Sequence, residues 1–168
     1  AMDCADCDLG SDISHGHYAG RDRKRVKRVL KQVIECFKYC AKQQFVHADI
    51  KPLNLVSISL GSDFIIKLID FDASAKYGEI CHLKFSSAFA PPQLAVQLLE
   101  YEQETGDKPT DASAPKPWAV WVQERGVLKA SVAIDIWAFG ILAFKLCVED
   151  GASMFLSSEA DNIVQRAD

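Results

Sequence analysis

Between His47 and Asp72 the chain gathers the side chains with the most chemistry to offer. The loop His47-Ala48-Asp49-Ile50-Lys51-Pro52-Leu53-Asn54 is polar and specific, and a second acidic tripeptide, Asp70-Phe71-Asp72, follows it. A carboxylate such as Asp49 can accept a proton from a reacting group. An ammonium two residues on, at Lys51, can offset negative charge that develops beside it. Asn54 and Asp70 offer hard oxygens, the donors that Mg2+ takes together with phosphate oxygens and water. Taken singly, each has a plainer reading, since His-x-Asp commonly caps a loop and a lone Asn commonly ends a turn.

The elements that must position these groups are legible from periodicity. From Arg21 to Ala41, apolar residues fall at Val26, Val29, Leu30, Val33, Ile34, Phe37, Cys40 and Ala41, the three-and-four spacing of one helix face. Two short apolar runs, Leu53–Leu60 and Phe64–Ile69, joined by Gly-Ser-Asp, predict a β-hairpin that leaves the polar loop and exits into Asp70. A second helix is expected from Ala133 to Val148, which with the first forms the buried centre. The opening stretch, Ala1–Gly20, has no sustained period and reads as extended or looped.

With the elements in place, the loop resembles the catalytic loop H-R-D-x-K-x-x-N of protein kinases, and Asp70-Phe71-Asp72 resembles their D-F-G. Phe89-Ala90-Pro91-Pro92-Gln93 is similar to the Y-x-A-P-E end of the kinase activation segment, and Asp135-Ile136-Trp137-Ala138-Phe139-Gly140 to the family's D-x-W-x-x-G helix. Four motifs in the family's order cover nearly the whole chain except an insertion. The resemblance implies a mainly α fold with a small β-hairpin, that is, the C-terminal lobe of the α+β kinase fold with the N-terminal lobe missing. It implies ATP and Mg2+ as cofactors and a protein with a Ser or Thr hydroxyl as acceptor. Asp49 then takes the acceptor's proton, Lys51 sits beside the transferring phosphate, and Asn54 and Asp70 hold metal. Ser86 stands where a hydroxyl bonds the catalytic Asp and Lys. His47, Phe71 and Asp135 support the loop, Asp135 by capping it from within its helix. Met2-Asp3-Cys4-Ala5 resembles the inter-lobe hinge whose backbone meets adenine, through Asp3 and Ala5, and Val56 falls where a residue floors the ring.

Departures from the family pattern are equally specific. Ala48 replaces the arginine that reads a phosphate on the activation segment, Asp72 replaces the glycine of D-F-G, and Gln93 replaces a glutamate. No Gly-rich loop and no V-A-I-K lysine is present, so the nucleotide has a floor and no roof. Asp135 lies 42 positions after Gln93, a gap wide enough to hold an inserted stretch at about 100–130. Its polar, proline-containing start, Glu100–Pro117, predicts an exposed, mobile loop. Trp118 and Trp121 then either pack back on the lobe or form a docking anchor. The expected organisation is one partial kinase domain over 1–168, hinge-like at 1–9 and lobe from 10 onward.

Composition narrows the class. The 168 residues are 49% hydrophobic and 25% charged with a net charge of −4, an ordinary globular balance that gives no reason to expect nucleic acid or an anionic membrane as partner. Seven Lys or Arg residues between Arg21 and Lys31 lack interleaved aromatics and read as a solvated helix face. Ser131–Val148 is interrupted by Asp135, Gly140 and Lys145, which excludes a membrane span. Cys4-x-x-Cys7 has no second pair at metal spacing, because Cys36 and Cys40 share a helix face. Six cysteines in apolar settings, with no signal peptide, fit a reducing, intracellular and cytoplasmic setting. A first residue other than Met suggests a piece cut from a longer chain. Two functions remain open: a serine/threonine kinase of which this is a piece, inactive by itself, or a silent kinase-like binding module. Retention of Asp49, Lys51, Asn54 and Asp70 favours the enzyme, since a scaffold has no use for them.

Overall fold

The computed structural model describes residues 5–81, 86–108, 113–125 and 129–156. Helix α2 (Arg23–Lys42) and helix α5 (Val132–Cys147) form its centre, as the apolar periods predict. Val29 and Val33 of α2 are fully buried and meet Ala138, Ile141, Leu142 and Leu146 of α5. Phe37 and Phe139 close the same contact edge-on, with ring centroids 5.6 Å apart. α2 starts two residues later than the sequence period suggests. The Asp22 carboxylate caps it there, accepting from the amides of Lys24 and Arg25 at 3.0 Å each, which satisfies donors that no helix turn can reach.

The hairpin is present, its first strand beginning two residues later than expected and its second shifted one residue toward the turn. Strand β3 (Leu55–Leu60) pairs antiparallel with strand β4 (Asp63–Leu68), and Gly61 makes the turn at a φ of 65°. Pro52–Asn54 coil into a single 3-10 turn instead of joining the strand, because proline has no amide to give a ladder and sets the φ of a turn. β3 also pairs with a short strand β1 (Cys7–Asp8), giving the order β1-β3-β4. A second two-stranded sheet joins β2 (Phe45–Val46) to β5 (Ala75–Lys76).

Two expectations need correction. The opening stretch is not all loop: after β1 comes helix α1 (Leu9–Gly16). Asp8 caps it by accepting from the Ser11 amide at 2.9 Å, and Leu9 and Ile13, one turn apart, are buried in the core. Eight residues are too few for a period to stand out. Nor is Glu100–Pro117 an exposed loop throughout, because helix α3 (Pro92–Thr105) runs well into it. Tyr101 is fully buried and anchors α3 against helix α4 (Trp118–Arg125), in which Trp118 and Trp121 pack back on the lobe. Polarity on the α3 surface hid a buried apolar side made of Leu94, Leu98 and Tyr101. Residues 109–112 of the expected loop lie outside the described residues.

Candidate active site

The loop from His47 to Asn54 is held from below by a single carboxylate. Asp135, in the first turn of α5 and 3% exposed, accepts from the His47 amide through Oδ2 and from the Ala48 amide through Oδ1, both at 2.9 Å. That grip holds Ala48 at a φ of 65°, a left-handed conformation that an alanine adopts only when its surroundings impose it. Burial pushes the Asp135 carboxyl above its ordinary range, while the two amides pull the other way.

His47 is fully buried and completes the support. Its Nε2 lies 2.9 Å from the Ile69 carbonyl, and its Nδ1 accepts the Asp49 amide at 3.3 Å. Those two partners assign the proton to Nε2 and require a neutral ring. Burial lowers the His47 pKa accordingly. The ring also stands edge-on to Phe71, at 4.8 Å between centroids, and Phe71 in turn meets Phe45 at 5.9 Å. The Phe71 ring is nonetheless 45% exposed.

On this support the polar groups converge. Asp49 is 5% exposed, and its Oδ1 accepts the Ser86 amide at 3.1 Å. Its Oδ2 receives Asn54 Nδ2 and Lys51 Nζ, each at 3.0 Å. Lys51 Nζ also donates to Ser86 Oγ at 2.8 Å, and Asn54 Nδ2 to the Asp49 carbonyl at 2.8 Å. Spending the Asn54 amide nitrogen on Asp49 turns its acceptor, Oδ1, the other way. The hairpin register sets Asn54 and Asp70 at one end: Leu55 faces Leu68, and the Ile69 amide donates to the Asn54 carbonyl at 3.0 Å. Asp70, exposed and at a φ of 62°, follows directly. An amide oxygen and a carboxylate suit Mg2+, but two protein oxygens make no cage by themselves. No group of three or more His, Cys, Asp or Glu among the described residues is arranged to hold a metal ion.

Asp49, Lys51, Asn54 and Ser86 thus form one bonded cluster, with His47, Phe71 and Asp135 behind it. Val56 lies apart from them on β3, half-buried, opposite Asp8 and Lys67. Ala5 is exposed ahead of β1, whereas Asp3 lies outside the described residues. What residue types could not reveal are the backbone partners. The Ile69 carbonyl that fixes His47 and the Ser86 amide that fixes Asp49 are available to any amino acid.

This arrangement can be set beside known proteins. The protein kinase domain model matches residues 2–111, and the chain belongs to that family. It is 25% identical over 132 residues to MAP kinase-activated protein kinase 5 of Mus musculus, covering 77% of this chain and 24% of that protein. It is 26% identical over 136 residues to the serine/threonine-protein kinase H1 homolog of Danio rerio, covering 80% of this chain and 25% of that one. Among solved structures, the yeast RNA Pol II CTD kinase CTDK-1 complex superposes with a TM-score of 0.63 at 19% identity, covering 94% of this chain and 41% of the other. The chain spans about a quarter of the length of these curated relatives. No helix among the described residues is long and apolar enough to cross a membrane.

Proposed function

We propose that this chain is the C-terminal lobe of a serine/threonine protein kinase and carries the groups that transfer the γ-phosphate of ATP to a protein hydroxyl. The observation that carries the reading is the Asp49–Lys51–Ser86 triangle, in which a buried carboxylate and an ammonium 3.0 Å apart are fixed on one serine. Phosphoryl transfer asks a protein mainly for positioning and charge compensation. Asp49 orients the acceptor hydroxyl and takes its proton. Lys51 neutralises charge on the phosphoryl oxygens, and Ser86 keeps the two in register. Asn54 Oδ1 and the Asp70 carboxylate would hold Mg2+, which would supply positive charge beside the phosphate oxygens. Val56 lies under the adenine, and the backbone around Asp3 and Ala5 meets its edge. A second lobe closes over the nucleotide against the exposed Phe71, so the isolated chain does not turn over.

The test joins this chain to a compatible N-terminal kinase lobe and follows phosphate incorporation into Ser- and Thr-containing peptides. Turnover is expected, with a drop on the order of a thousandfold for Asp49→Asn. An Asp49→Asn protein at full rate removes Asp49 from its role. No turnover in any such fusion, with nucleotide still bound, moves the reading to a kinase-like binding module.

A further inference from the structure

α3 and α4 make a compact unit of their own. Trp118 stacks on Trp121 at 5.4 Å, and Tyr101 stands edge-on to both at 5.5 and 5.7 Å. Trp121 Nε1 donates to Glu104 at 2.9 Å, and the Tyr101 hydroxyl donates to the Lys116 carbonyl at 2.7 Å. Arg125 pairs with Glu104 and lies 4.8 Å over the Trp121 ring. The rings and polar groups just named hold one another, so the unit has its own source of rigidity.

Two connections lead from that stretch of sequence to residues 77–81. Ile80 packs against the aromatic unit beside Ala90 and Leu98. Further along, Lys129 bridges Ile80 in antiparallel fashion, the Ala130 amide donates to the Glu79 carbonyl at 2.7 Å, and the Gly78 amide donates to the Ala130 carbonyl at 2.9 Å. Ala130, 2% exposed, then enters a buried apolar cluster with Val46, Ala75, Cys81 and Ile134, against Ala48 and Tyr77. Residues 77–81 are therefore held by packing on one side and backbone pairing on the other. All of these holds are uncharged.

We propose that the α3–α4 unit and Lys129–Ala130 act as a built-in clamp that keeps residues 77–81 ordered without a phosphate. Its meaning for catalysis rests on the kinase reading, in which these residues belong to the activation segment leading to Ser86 and Asp49. Its physical content does not, because a clamp is read from amide exchange, whatever the chain catalyses.

Hydrogen exchange on the 168-residue chain provides the test. Trp121→Ala is expected to speed exchange of the Gly78 amide by about tenfold or more, with the Val29 and Leu142 amides in the central helices changing less than about twofold. Trp121→Phe, which keeps the ring packing, should restore most of the protection. Ile80→Ala cuts the connection from the other side, and it should loosen Gly78 while leaving residues 118–125 as they were. Unchanged Gly78 exchange in either alanine variant overturns the proposal. So does a uniform acceleration across all core amides, or a Trp121→Ala chain that does not fold, because the α3–α4 unit is then part of one cooperative core and no separable clamp. A chain without phosphotransfer can pass this test and an active kinase can fail it.

Discussion

Replacing Asp135 by alanine isolates the contact on which the loop from His47 to Asn54 rests. The substitution orphans two amides, the buried one of His47 and the part-buried one of Ala48, each bonded to the carboxylate at 2.9 Å. A buried donor left without a partner costs about 1–3 kcal/mol, so the gross loss is about 2–6 kcal/mol. Removing a carboxylate that is 3% exposed returns part of its desolvation penalty, which places the net loss near 3 kcal/mol. For a chain of this size, about 2–4 °C of melting temperature goes with each kcal/mol, and the expected fall is about 6–12 °C. Asp135→Asn keeps one acceptor and turns an NH2 group toward the second amide, so it should fall between wild type and alanine. Urea unfolding and thermal melts followed by circular dichroism give both numbers. An alanine variant within about 1 kcal/mol of wild type refutes the reasoning, since the two amides must then find other partners or water.

Other perturbations test separate links. His47 is neutral in the fold and its pKa lies below the ordinary 6.5. The unfolded chain therefore takes up the proton first as pH falls, and the stability that this difference contributes, full above about pH 6.5, is lost as pH drops through the folded value. Melts from pH 7 to pH 5 should show wild type losing stability relative to His47→Phe, and equal slopes would rule this out. At Gly20, φ is 69° and an added Cβ would sit 2.5 Å from the Glu149 nitrogen, so Gly20→Ala should cost about 2 kcal/mol or more in urea unfolding. Activity of the lobe-restored enzyme should survive phosphatase treatment of residues 70–93. Ala48 offers a phosphate nothing to bind, and the site beside it is filled by apolar packing from Ala75, Cys81 and Ala130. A drop of tenfold or more on removing phosphate, confirmed by mass spectrometry, counts against it.

The loop from His47 to Asn54 stood out because its polar residue types are closely spaced, so Asp49, Lys51 and Asn54 could be named before the geometry brought them into one bonded cluster. The two central helices were legible for a different reason: α2 repeats its apolar positions over five turns, and α5 is apolar nearly all round. Helix α1 escaped notice because eight residues with two buried side chains carry almost no periodic signal. Helix α3 escaped because the polar stretch from Glu100 leads into Pro109, Pro115 and Pro117, which suggest loop, while the side chain that decides the outcome, Tyr101, finds its partners at Trp118 and Trp121. The grip of Asp135 on the loop was foreseen from the resemblance. The Ile80–Lys129 bridge was not, since backbone pairing between distant segments leaves no trace in side-chain type.

The reach of Asp135 also bears on synthesis. His47 and the carboxylate that accepts its amide are separated by 88 residues, and chains grow at roughly 5–20 residues per second. For roughly 4–18 s after His47 is added to the nascent chain, its partner does not yet exist. During that interval α2 can form from local contacts, and so can the hairpin once Leu68 has been added, but the Asp135 bond that holds Ala48 in its left-handed conformation is absent. The loop from His47 to Asn54 therefore gains its support only when α5, the other half of the buried centre, is made, so the centre and the loop are completed by the same late helix.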